Sequence, residues 1–81
     1  MKFAVQFHSY FKDLTGTSES VFEVAEGARL GELIARVQER FPKLKGLERS
    51  TLTAVGVEYQ RAEYVLRPGD EVSLFPPVQG G

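Results

Sequence analysis

Three features of the sequence predict an α+β domain in which one helix lies across one face of a sheet. Short stretches such as "KFAVQF" and "DEVSLF" alternate apolar and polar residues, the period of a half-buried strand. One longer stretch, Leu30 to Phe41, repeats its apolar residues at helical spacing, the period of an amphipathic helix. The chain has 81 residues, enough for one hydrophobic core and no more, so strands and helix must share it.

Taken in order, "KFAVQFHSY" places Phe3, Val5 and Phe7 on one face and Lys2, Gln6 and His8 on the other. "FKDLTGTSES" breaks that alternation around Gly16 and predicts a long hairpin connection. "SVFEVAE" is a second short strand with Phe22 and Val24 inward. Leu30, Leu33, Ile34, Val37 and Phe41 then form the helical stripe, opposite Glu32, Arg36, Glu39 and Arg40. Glu32 and Arg36 are four apart in the favourable order for an ion pair. Pro42 ends the helix by pushing Phe41 out of helical geometry, whereas Gly27 is only a modest start signal. "KLKGLERS" predicts a polar connection, and "TLTAVGVEYQ" a third strand with Thr53, Val55, Val57 and Tyr59 alternating. "RAEYVL" reads as a short strand or turn. "RPGD" carries Pro68 and Gly69 at the central positions of a type II turn. "DEVSLF" is the last strand, with Val72 and Leu74 inward.

Composition excludes several functional classes. The formal net charge is -1 and no basic run occurs, so nucleic-acid binding is not expected. No apolar stretch approaches a membrane span, and "MKFAVQF" lacks the apolar segment of a secretory signal; a cytoplasmic location is the expectation. Cysteine is absent, which removes thiolate metal sites and a cysteine nucleophile. His8 is the only histidine and reads as a polar-face strand residue, so no metal site is expected. No nucleophile elbow, phosphate-binding glycine loop or carboxylate dyad marks a catalytic centre. Tyr10, Tyr59 and Tyr64 share no period and read as packing residues rather than a stacking platform.

The remaining signal is the end of the chain, "FPPVQGG". Pro76 and Pro77 fix their own φ angles and bias their predecessors towards extended backbone, so the last strand cannot continue through them. The expected organisation is a folded domain over residues 1–75 and a tail over residues 76–81. From Pro76 to Gly81 the tail could reach about 20 Å when extended. Gly80 and Gly81 lack a β-carbon and could pass through a channel that a side chain would block. What such a channel would receive is the α-carboxylate of Gly81.

In "RPGDEVSLFPPVQGG", and in Ala54 and Val55 of the preceding strand, the sequence resembles the small sulfur-carrier subunit of molybdopterin synthase. "FKDLTGTSES" and "LGELIARVQERFP" match that family's first turn and single helix, so the resemblance covers nearly the whole chain; only the terminal motif is specific. One position departs: Gly56 stands where the family often has asparagine.

The resemblance implies a ubiquitin-like β-grasp fold and a carrier rather than an enzyme, with catalytic residues on the large subunit and no cofactor bound to the carrier itself. It implies that an ATP-dependent activating enzyme adenylates Gly81 and that a sulfur donor converts the acyl-adenylate to a thiocarboxylate. The tail, Pro76, Pro77, Val78, Gln79, Gly80 and Gly81, would insert into the large subunit of molybdopterin synthase, where sulfur passes to cyclic pyranopterin monophosphate. Phe75 and Val78 are the expected apolar anchors on the partner, although Phe75 could equally end the core strand. Related carriers serve thiamin synthesis, tRNA thiolation or protein modification, and a plain interaction module is a further alternative.

Overall fold

The computed structural model describes residues 1–77. Alternation in the N-terminal stretch produces β1 (Lys2–Phe7), which pairs antiparallel with β2 (Glu19–Glu23), Phe3 facing Phe22 and Ala4 facing Val21. The amphipathic stretch forms α2 (Leu30–Arg40) after a short helix α1 (Phe11–Thr15) between β1 and β2. Two 3₁₀ turns, Pro42–Leu44 and Glu48–Ser50, lead into β3 (Leu52–Val55), β4 (Glu58–Tyr59) and β5 (Val72–Phe75). The five strands form one mixed sheet in the order β2-β1-β5-β3-β4. β1 and β5 are parallel at its centre and the remaining pairs are antiparallel. This order, with α2 across one face, is the ubiquitin-like β-grasp that the resemblance implied.

The core lies between α2 and the sheet. Leu30, Leu33 and Val37 of α2 meet Phe3, Val5 and Phe7 of β1 and Val72 and Leu74 of β5, all at 2% exposure or less. Each such side chain contributes about 1.5–3 kcal/mol by leaving water. Phe41, just past α2, closes one end of this layer with its ring edge-on to Phe7 at 5.5 Å. It has φ −124 and ψ 78, the extended backbone expected before Pro42. The Arg40 guanidinium lies 5.7 Å from the Phe41 ring and 5.9 Å from that of Phe22, a cation–π cover on the rim of the core.

The start of α2 is set by partners the sequence did not reveal. Its first N–H groups donate to a distant loop, Leu30 to the Tyr64 carbonyl at 2.7 Å and Gly31 to that of Ala62 at 3.0 Å. Any β-carbon on Gly31 would come within 3.0 Å of the Ala62 side chain, so close approach explains this glycine. Glu32 does not pair with Arg36. Its carboxylate accepts the Arg29 N–H at 3.1 Å, and Arg36 instead faces Glu39 at 3.9 Å.

Two predicted elements differ. The connection between β1 and β2 is the long hairpin connection expected, but its segment Phe11–Thr15 is helical. Ser9, with φ 57, bends the chain out of β1, and Phe11 then drops fully into the core. The expected third strand is a tight hairpin. Val55 pairs with Glu58 across Gly56 and Val57; Gly56 has φ 62 and Val57 no positive φ, the pattern of a type II′ turn. The alternation of Thr53, Val55, Val57 and Tyr59 therefore does not continue through one strand, and Val57 is wholly exposed. "RAEYVL" forms a turn with one isolated bridge, Val65 to Arg29. "RPGD" folds as predicted: Gly69 has φ 88 and the Asp70 N–H donates to the Arg67 carbonyl at 3.1 Å.

Candidate functional site: the open sheet face at the root of the tail

Strand pleating turns every second residue away from α2. On β5 the outward residues are Ser73 and Phe75, on β3 Leu52 and Ala54, on β4 Tyr59 and on β1 Ala4 and Gln6, as the registers require. No second helix covers this face among the described residues. Along the outer side of β5, from the Gly56 turn to Phe75, His8, Ala54, Gly56, Val57, Tyr59, Ser73 and Phe75 line a shallow depression.

Aromatic contacts organise this depression. The Phe75 ring meets Tyr59 at 5.7 Å between centroids and is edge-on to His8 at 6.0 Å. Three different segments of the chain thus supply its rings. The backbone fixes their spacing, since the His8 N–H donates to the Leu74 carbonyl at 3.0 Å and Leu52 stands opposite Phe75. Tyr59 is nevertheless 65% exposed and Val57 100% exposed. Phe75 is half-buried and lies outside the core cluster. It is therefore an outward residue at the end of β5, not a core residue. Pro76 and Pro77 follow it directly, both half-buried and outside any strand, so the tail leaves from the edge of this aromatic group.

Elsewhere the structure offers little chemistry. A groove of about 330 Å³ between α2 and β3 has a largely apolar lining that includes Leu30, Ile34, Val37 and Leu44. The Glu48 carboxylate on its rim accepts the Gly46 N–H at 3.1 Å and the Gln38 amide at 2.8 Å. The Gly46 bond first, then that from its own N–H, holds its pKa below the usual carboxylate value. Tyr64 donates to Asp70 at 2.8 Å, and that bond, ahead of burial and the Asp70 charge, raises the tyrosine pKa. Both arrangements close loops. Among the described residues no three His, Asp or Glu side chains gather as a metal site, and no helix is long and apolar enough to cross a membrane.

Comparison with known proteins is decisive for the family. Residues 5–81 match the ThiS family. The chain belongs to that family. It is 30% identical over 83 residues to the molybdopterin synthase sulfur carrier subunit of Chlamydomonas reinhardtii, covering all of both chains. Among solved structures it is similar to a putative molybdopterin converting factor subunit 1 from Pyrococcus furiosus, with TM-score 0.88 and 31% identity over 96% of this chain and 99% of that one. It is also similar to a chain in the complex of subunits 1 and 2 of the molybdopterin-converting factor from Helicobacter pylori. There the TM-score is 0.72 and the identity 27%, covering 100% of both chains.

Within this ThiS-family chain, the predicted site residues fall into two groups. Phe75, Pro76 and Pro77 lie together at the edge of the open face. Val78, Gln79, Gly80 and Gly81 lie outside the described residues. Sequence reasoning missed His8 and Tyr59 as neighbours of Phe75. The available signal was parity: His8 was already on the polar side of β1, but Tyr59 reaches the same face only through the hairpin at Gly56 and Val57. That hairpin also accounts for the departure at position 56. Its first loop position needs a positive φ, which glycine and asparagine tolerate better than other residues.

Proposed function

We propose that this chain is the sulfur carrier of molybdopterin synthase and that its working group is the α-carboxyl of Gly81. The observation that carries this reading is full-length similarity to a molybdopterin synthase sulfur carrier subunit, through the terminal Gly80 and Gly81. The aromatic depression at the root of the tail supports it, because it supplies a docking face beside the departing stalk. The complexed relative from Helicobacter pylori supports a second, larger subunit as the partner.

The chemistry follows from what a carboxylate lacks. Its charge repels nucleophiles and oxide is a hopeless leaving group. An activating enzyme therefore joins the Gly81 carboxylate to the α-phosphate of ATP and releases pyrophosphate. A donor of sulfide-level sulfur attacks the acyl carbon, a C–S bond forms as the bond to AMP breaks, and a thiocarboxylate is left. That soft anion, still tethered to the carrier, enters the large subunit and forms a C–S bond to cyclic pyranopterin monophosphate. Water then cleaves the acyl–sulfur bond, leaving sulfur on the pterin and a carboxylate on Gly81. The carrier supplies the handle and the tether, and the large subunit supplies the acid, base and anion-binding groups. Phe75 and Val78 anchor the docked tail, since aromatic groups concentrate binding energy at interface centres. Carriers for thiamin synthesis or tRNA thiolation share the first two steps; the relatives' names favour the pterin acceptor here.

Intact-mass spectrometry tests the reading. With activating enzyme, ATP and a sulfur donor, the mass of the chain changes by one oxygen replaced by sulfur, and deletion of Gly81 abolishes the change. Adding the large subunit and the pterin precursor then returns the carrier to its original mass. An unchanged mass with an activating enzyme that works on a relative refutes the proposal. A thiocarboxylate that the large subunit never consumes refutes the acceptor.

A further inference from the structure

We propose that His8 makes docking of the open face pH-dependent, because protonation of its imidazole opposes burial under the partner. The inference rests on the reading above, that the depression around Phe75 is the docking face.

His8 occupies a fixed place at the edge of that face. Its N–H donates to Leu74 on β5, and its carbonyl accepts the Phe11 N–H of α1 at 3.2 Å. The imidazole stands edge-on to Phe75, with 82° between the rings. In the free chain His8 is exposed. The other residues of the depression, Ala54, Gly56, Val57, Tyr59, Ser73 and Phe75, offer no counter-charge. Tyrosine stays neutral through the range in which histidine titrates. Charged groups on the adjoining elements are Lys2 on β1, Lys12 and Asp13 on α1, Glu19 and Glu23 on β2, Glu58 on β4 and Glu71 beside β5. None forms an ion pair with His8 among the described residues. A partner laid over Phe75 and Tyr59 removes water from the imidazole without replacing it by an anion of this chain. Burial of that kind disfavours the charged form, and histidine is the side chain that ordinarily changes charge near neutral pH.

By linkage, a complex that accepts only neutral His8 loses affinity as pH falls, with a limiting slope of about tenfold per pH unit once the free imidazole is charged. The test measures the Kd of the full chain for its large subunit between about pH 5.5 and 8, for wild type, His8→Phe and His8→Gln. Thermal melts check that each variant is folded. Taking the ratio of wild type to each variant cancels titrations that belong to the partner. The expected result is a ratio that rises as pH falls, by up to about tenfold per unit, for both variants. A flat ratio with all three chains binding overturns the role of His8 and leaves the docking face standing. A ratio that falls with pH also overturns it, because the partner then presents an anion to a charged His8. Binding that survives Phe75→Ala undiminished refutes the docking face itself, and this inference with it.

Discussion

The two faces of the sheet are built from the same strands and are finished differently. Towards α2, Phe3, Val5, Phe7, Val72 and Leu74 meet Leu30, Leu33 and Val37 and are sealed from water. On the other side, one residue along each strand, the Phe75 ring meets Tyr59 and stands edge-on to His8, and all three remain partly in solvent. The first face is explained completely by the fold, since every apolar residue there has an intramolecular partner. The second carries more aromatic surface than the fold needs, concentrated where the chain departs as Pro76 and Pro77. Burial in the core stabilises the domain, whereas the exposed aromatic surface is the docking face proposed above for the large subunit.

Substitutions that strike one face and spare the other separate these roles. The largest effect belongs to the core: Phe7→Ala costs about 3–5 kcal/mol, comparable to the whole net stability of a domain this small. Denaturant titration should find the variant largely unfolded. Phe75→Ala should invert the pattern. It leaves a cooperative transition close to wild type, while Kd for the large subunit rises by about 30-fold or more in a calorimetric titration, a hot-spot loss near 2 kcal/mol. Equal damage to stability and affinity would erase the distinction between the faces.

The turn that carries Tyr59 to the open face is a subtler control. Gly56→Asn should fold within about 0.5 kcal/mol of wild type, whereas Gly56→Val should lose about 1–2 kcal/mol. Nothing lies within 4 Å of a β-carbon at that position, so the difference isolates the backbone requirement. The smallest effect lies on neither face. The hydrogen bond to Asp70 raises the Tyr64 pKa, so its stabilisation is complete below the tyrosine's unfolded-state pKa. It is lost as pH rises through the higher folded value. Stability measured between about pH 8 and 11 should therefore fall in wild type more than in Tyr64→Phe.

Legibility in the sequence followed the range of the interactions. β1, α2, β5 and the turn at Pro68 and Gly69 were visible because alternation, helical spacing and turn chemistry are properties of neighbours in the chain. The helix Phe11–Thr15 was not, because its five residues are too few to show a period; burial of Phe11 stabilises it. The hairpin at Gly56 was hidden by an alternation that runs unbroken through "TAVGVEY" in letters but not in space. The start of α2 was obscure because carbonyls of Ala62 and Tyr64 take the place of a local cap.

By itself, the sequence determined the fold class, the inward residues of three elements and the peculiarity of "FPPVQGG". Periodicity and proline geometry act locally and need no partner to be read. Only the tertiary structure decided that Phe75 points away from the core, and that His8 and Tyr59 join it. Those residues are far apart in the chain, and strand pairing and pleat direction, not composition, bring their rings to one face of the sheet.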